Sequence, residues 1–145
     1  MKHVDGMRMN HLEVTIPVGT FAGIRPDLIA FYGEQLGFGV NSIEAFGPNH
    51  LFLLKDAVGS EFIYVAEHER PMIVGGDDHL GFHVASPAAV GAILAECRAV
   101  EIRDSRMQIR MLEDLVTPQT VTHAFYFRYL LPIWFDIQHI DFRPG

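Results

Sequence analysis

With 145 residues, of which 49% are hydrophobic and 20% charged, the chain is long enough for one ordinary domain with its own core and too apolar for disorder. A formal net charge of -7, with no basic stripe interleaved with aromatics, excludes a phosphate-tracking surface, so nucleic acid is not an expected partner. The leading Met1 to Gly6 has no apolar h-region, no apolar run is long enough to span a bilayer, and one cysteine cannot make an internal disulfide; together these predict a cytoplasmic protein without membrane contact.

Met9 to Val18 alternates and is rich in branched side chains, which predicts a strand. Arg25 to Leu36 has helical spacing: Pro26 suits a first turn, Leu28, Phe31, Tyr32 and Leu36 form one stripe, and Gly37 stops it. Phe38 to Phe46, His50 to Asp56 and Glu61 to Glu67 read as strands punctuated by Gly47-Pro48-Asn49 and Gly59-Ser60. Arg70 to Asp77, with Pro71 and Gly75-Gly76, reads as a linker, and Glu67 to Arg70 as a solvated strand end.

The pattern then restarts. Asp78 to Ala85 reads as a strand, Ser86-Pro87 caps a helix running to about Val100, and Met107 to Leu112, Val121 to Leu130 and Ile133 to Phe142 read as strands. Glu113 to Thr120 carries no clear pattern. The order is therefore strand, helix, three strands, twice. Asn10-His11-Leu12-Glu13-Val14-Thr15-Ile16 also matches Asp78-His79-Leu80-Gly81-Phe82-His83-Val84 in pattern. Cys97, inside the second helix, reads as a small buried hydrophobe.

Alternation puts His11, Glu13 and Thr15 on one strand face and Leu12, Val14 and Ile16 on the other. His79, Gly81 and His83 likewise oppose Leu80, Phe82 and Val84. Repeated strands related by a pseudo-twofold would bring His11 and His79 together. Two imidazoles and one carboxylate make the facial triad of non-haem iron and related sites, and Asp136, which shares a face with Trp134 and Gln138, offers the carboxylate. Glu13 reads either as an outer partner orienting an imidazole or as a solvated residue. His83 reads as structural, and His3, His50, His68 and His139 as exposed and outside any constellation.

The element order, the strand-opening His11 and His79, and the segment Phe31-Tyr32-Gly33-Glu34-Gln35-Leu36-Gly37-Phe38 resemble the vicinal oxygen chelate superfamily. That superfamily includes glyoxalase I, extradiol dioxygenases, methylmalonyl-CoA epimerase and bleomycin-resistance proteins. The resemblance spans nearly the whole chain. It implies an α+β fold: two βαβββ modules, residues about 9–69 and about 78–142 joined by a linker at about 70–77, in a single domain over 1–145. The modules would form a cupped, half-barrel mixed sheet with helices on the outside, and the protein would be a homodimer. The family's C-terminal hairpin glutamate, a metal ligand, falls by counting on Asp136, although the usual Asp-Pro-Asp-Gly-Asn turn is absent. The position of glyoxalase I's further glutamate falls on Tyr64, which disfavours a four-ligand glyoxalase site and leaves a three-ligand, dioxygenase-like or epimerase-like one.

If the last hairpin pairs tightly, Phe127 lies opposite Asp136, with His123, Phe125 and Tyr129 on the same inward face. His123 is then the candidate catalytic acid or base. Glu13, Tyr64, Phe125, Phe127, Tyr129, Trp134 and Gln138 would line the substrate pocket. The expected function is a metal-dependent enzyme of glyoxalase or dioxygenase type acting on a small oxygenated metabolite, an aromatic diol or a related compound, chelated through neighbouring oxygens. His11, His79 and Asp136 would hold Fe(II) or Mn(II), with Zn or Ni as alternatives. The rivals are a metal-free binder that sequesters a small molecule as bleomycin-resistance proteins do, and an interaction module whose sheet edges only build dimers.

Overall fold

The computed structural model describes residues 3–143, and the side chains of His3 and Asp5 also lie outside the described set. The chain divides into two compact units, residues 1–72 and 73–145. Both are α+β, each with its own mixed sheet.

The first unit opens with strand β1 (His11–Pro17), followed by helix α1 (Phe21–Leu28), which continues as a π-helical turn (Ile29–Gln35). Three strands complete it: β2 (Gly39–Asn41), β3 (His50–Leu54) and β4 (Phe62–His68). The sheet order is β1-β4-β3-β2, with β1 parallel to β4 and the other pairs antiparallel. The helix begins at Phe21, not at Arg25. Phe21 is fully buried, and its N–H donates to Glu67 Oε1 at 2.9 Å, which pulls the first turn forward. Pro26 consequently sits inside the helix and forfeits one ladder bond. The wide turn that follows ends in Leu36 N–H to Phe31 O at 2.9 Å, and Gly37, at φ 86°, stops the helix. The stretch expected as one strand to Phe46 breaks after Asn41 and ends in a 3-10 turn, Glu44–Phe46.

The second unit runs β5 (His79–His83), α2 (Pro87–Arg103), β6 (Gln108–Met111), β7 (Leu115–Val116), β8 (Thr120–Arg128) and β9 (Trp134–Phe142). Its order is β5-β9-β8-β6, with β7 also on β8. Ser86 caps α2, its Oγ accepting the Ala89 N–H at 3.1 Å. The patternless stretch thus contains a two-residue strand, too short for alternation to reveal. α2 packs on β6, β8 and β9. The buried set here comprises Val90, Cys97, Val100, Phe125, Phe127, Tyr129, Phe135 and Ile137 among others. Burial pushes the Cys97 thiol up to about 12, so it stays protonated and inert, as a packed hydrophobe should. No helix among the described residues is long and apolar enough to cross a membrane.

Candidate functional site

Both histidines at the starts of the parallel strands are held in the same tautomer. In the second unit, His79 Nδ1 lies 2.7 Å from the Asp77 carbonyl, which can only accept, so Nδ1 carries the proton. In the first, His11 Nδ1 lies 2.6 Å from Asn10 Oδ1, and the Asn10 amide is itself oriented by Nδ2 donating to Ser60 O at 2.7 Å. In each ring it is therefore Nε2 that remains available as the ligand nitrogen. Such second-layer hydrogen bonds are what fix metal-ligating imidazoles.

Parallel pairing of β5 with β9 sets His79 beside Trp134, Gly81 beside Asp136 and His83 beside Gln138. His79 Nε2 and Asp136 Oδ2 face each other at 3.6 Å. Two lone-pair bearers aimed at one another require a shared cation, either a proton or a metal. Asp136 is only 6% exposed, and its Oδ1 is buried with no hydrogen-bond partner. Such an unmet acceptor costs about 1–3 kcal/mol. Burial pushes the carboxyl above its usual range, and His79 opposes that shift. Gly81 keeps the adjoining space open: a Cβ there would stand 3.9 Å from Asp136 Oδ2 and 3.6 Å from Gln138 Nε2. The donor set of an imidazole nitrogen and a carboxylate oxygen, with one oxygen orphaned, fits a divalent cation. Among the described residues no group of three or more His, Cys, Asp or Glu side chains is gathered to hold one, so His79 and Asp136 stand as a pair.

The terminal hairpin is registered one residue away from the expected pairing. Tyr126, not Phe127, lies opposite Asp136, while Phe127 pairs with Phe135 and Phe125 with Ile137. The turn explains the slip: residues 129–133 connect the strands, with Leu130 in the left-handed region at φ 64°. Phe125, Phe127 and Tyr129 therefore leave the proposed pocket and enter the core, at 1%, 0% and 4% exposure. Tyr129 is anchored there by its hydroxyl donating to Asp104 Oδ2 at 2.8 Å. Tyr126 takes their place beside Asp136, with its ring 4.8 Å from that of His79. Its phenol is pushed up by burial and then by the charges of Asp136 and Asp77. Trp134 and Gln138 do share the Asp136 face, as expected.

The same register moves His123 to the opposite face, among groups the sequence reading left unconnected. His123 Nδ1 lies 2.9 Å from Asp114 Oδ2, and its Nε2 lies 3.3 Å from Asp141 Oδ2. His139 holds the other Asp141 oxygen at 2.8 Å through Nε2, while its Nδ1 reaches the Val84 carbonyl at 2.7 Å. His139, expected to be exposed, is therefore half-buried and bonded at both nitrogens, and the His83 ring lies tilted beside it with centroids 5.2 Å apart. The Val84 carbonyl, then Asp141, raises the His139 pKa above 6.5. A raised histidine pKa contributes stability that is complete below the unfolded value and lost as pH rises through the folded one. The stability gap between wild type and His139→Gln, read from urea midpoints, should be widest under acidic conditions and narrow above the histidine range. A gap that does not change with pH would contradict this assignment.

In the first unit, Glu13 and Tyr64 are register partners on the face that carries His11. His11 stacks on Phe62 with ring centroids 4.9 Å apart. Sequence reading missed His50, which is 3% exposed on the same face. Its Nε2 accepts the Ile43 N–H at 2.9 Å, and its Nδ1 is buried with no partner. Rings of Phe46, Phe52 and Tyr64 surround it at 5.6–6.0 Å. The alternation of His50, Phe52 and Leu54 was the available signal.

No protein-family model matches the chain, and no curated protein does. Solved structures do. A protein described as of the glyoxalase family from Bacillus anthracis superposes with a TM-score of 0.63 at 16% identity, covering 93% of this chain and 96% of that one. A glyoxalase/bleomycin resistance protein from Albidiferax ferrireducens T118 gives 0.59 at 16% identity, covering 94% and 98%. The fosfomycin resistance protein FosX from Listeria monocytogenes gives 0.61 at 12% identity, covering 91% and 90%. At such identities the likeness is one of fold: the chain has the vicinal oxygen chelate fold.

Proposed function

We propose that this protein is a metal-dependent enzyme of the vicinal oxygen chelate type, with His79 and Asp136 as two ligands of a divalent cation. The observation that carries the reading is the buried Asp136 carboxylate, with one oxygen orphaned and the other aimed at the His79 lone pair. His11, the third ligand by resemblance, has its Nδ1 held in the same way in its own unit, which leaves Nε2 for a ligand role. The ion these residues would hold, Fe(II) or Mn(II) by preference, would supply Lewis acidity or oxygen activation toward a substrate with neighbouring oxygens.

The chain's own residues have separate tasks. The Asp77 carbonyl holds the His79 proton on Nδ1. The Tyr126 phenol, with its pKa pushed up, keeps its proton near neutral pH and can donate it in a hydrogen bond to a substrate oxygen. Gly81 leaves room for that substrate, and Gln138 offers an amide on the same face. His123, held between two aspartates on the other side of the sheet, is not assigned as the acid or base.

A metal-free binder is the second reading, favoured by the aromatic face of Phe46, Phe52, Phe62 and Tyr64. Metal analysis of untagged protein prepared without chelators separates the two. Near-stoichiometric Fe or Mn, lost in the His11→Ala, His79→Ala double variant, is expected. Metal-free wild-type protein that also fails to take up added Mn(II) would establish the binder instead.

A further inference from the structure

The Asp136 face carries a second feature that metal binding does not use. Trp134 is 6% exposed, and two guanidinium groups cover it: the Arg110 and Arg128 carbons each lie 4.6 Å from a ring centroid of the indole. The register explains the arrangement. Gln108 pairs with Arg128 and Arg110 with Tyr126, while Tyr126 pairs with Asp136 and His79 lies beside Trp134. Arginines, tryptophan, tyrosine and the His79–Asp136 pair therefore occupy adjacent rows of one sheet face.

Two like charges on one ring repel, and they do so in a protein whose net charge is -7. Among the described residues only one is paired with a carboxylate. Arg110 forms an ion pair with Asp77, an exposed carboxylate in the loop before β5. Arg128 is held by a neutral group: its Nε and Nη2 donate to Gln108 Oε1 at 3.0 and 2.6 Å. Gln108 thus orients the Arg128 plane without supplying the charge that it favours. Guanidinium forks fixed by stacking are suited to oxyanions, which they bind through paired N–H donors. Asp77 is well placed to yield, since its side chain is 76% exposed and ionic contacts at such a site are weak.

We infer that Arg110 and Arg128, stacked on Trp134, form a subsite for the carboxylate, phosphonate or phosphate of a small acid whose flat or apolar body lies toward Tyr126. The inference rests on the reading of this face as the ligand-binding one, and it narrows the substrate class from oxygenated metabolites to anionic ones. Arg128 provides the unmatched charge, Arg110 exchanges Asp77 for the ligand, and the indole keeps the two forks in place.

The chain's single tryptophan makes the test direct. Protein stripped with EDTA is titrated with phenylphosphonate, benzoate and the neutral benzyl alcohol, following Trp134 emission, with calorimetry for affinity. Saturable binding of at least one of the two acids is expected; which one binds distinguishes a tetrahedral from a planar oxyanion. The alcohol should bind at least about tenfold more weakly, and Arg110→Gln and Arg128→Gln should each weaken acid binding by about tenfold or more. Asp77→Asn should tighten it, and Arg98→Gln on α2 should leave it unchanged. Arg128→Lys, which keeps the charge and loses the fork, should fall between wild type and Arg128→Gln. Equal binding of acid and alcohol, no acid binding, or indifference to both Arg128 substitutions and Asp77→Asn would overturn the subsite. Because these titrations are metal-free, failure of the metal reading leaves their outcome intact; metal uptake without acid binding would refute this inference alone.

Discussion

Replacing Phe127 with alanine is expected to destabilise the protein by about 3–5 kcal/mol. Phe127 is fully buried, on a strand bonded to β6 on one side and β9 on the other. Its ring lies 5.0 Å from Phe135 and 6.3 Å from Phe125, so truncation removes contacts on both strands and leaves a cavity that packed neighbours fill poorly. Trp134 emission during urea unfolding reports on the unit concerned, and the midpoint should fall with little change in slope. The experiment also discriminates between the two hairpin registers. With Phe127 opposite Asp136, truncation would chiefly enlarge a ligand pocket and cost little stability. A loss below about 1 kcal/mol would therefore restore that pairing.

Asp136→Asn is expected to have two effects of opposite sign. Metal uptake should be abolished, because an amide is a far poorer ligand for a divalent cation than a carboxylate. The metal-free protein should at the same time become more stable, because the substitution removes a charge that burial disfavours. The burial that pushes this carboxyl above its usual range shows that the fold disfavours its ionised form. Asparagine removes the charge at constant shape, and its amide can donate to the lone pair of His79 that now faces Asp136 Oδ2 at 3.6 Å. Urea unfolding in EDTA and Mn(II) uptake would be measured on the same preparations. A variant that is less stable without metal and still binds Mn(II) normally would show Asp136 to be a structural residue. The expected pattern, stability gained as binding is lost, is that of a residue retained for a ligand rather than for folding.

Much of the scaffold was legible because its signals are local. Alternation in His11 to Ile16 and in His79 to Val84 identified both parallel strands and the polar face of each, and His79 and Asp136 do lie together. Ser86-Pro87 marked the start of α2, since a cap and a first-turn proline act within one helical turn. Gly37 stopped the first helix as expected, at a backbone angle that glycine adopts without strain.

Where the sequence reading went wrong, the cause was a partner outside the local pattern or a backbone angle that the residue type does not announce. The start of α1 was set by Glu67, and the environment of His139 by Val84 and Asp141. The pairing of β8 with β9 was set by the backbone of a five-residue turn, in which a leucine adopts a conformation its type does not announce. Since side chains alternate with a period of two, that single offset exchanged Phe125, Phe127, Tyr129 and His123 for Tyr126 and Arg128 on the Asp136 face.

By itself, then, the amino-acid order determined the duplicated strand–helix–strand plan and the polar face of each opening strand, both properties of periodicity and side-chain chemistry. Only the tertiary structure decided which acid meets which imidazole, which aromatics are core, and that two arginines share one indole. Those depend on strand register and turn geometry, which pair residues too far apart in the chain for any local pattern to encode.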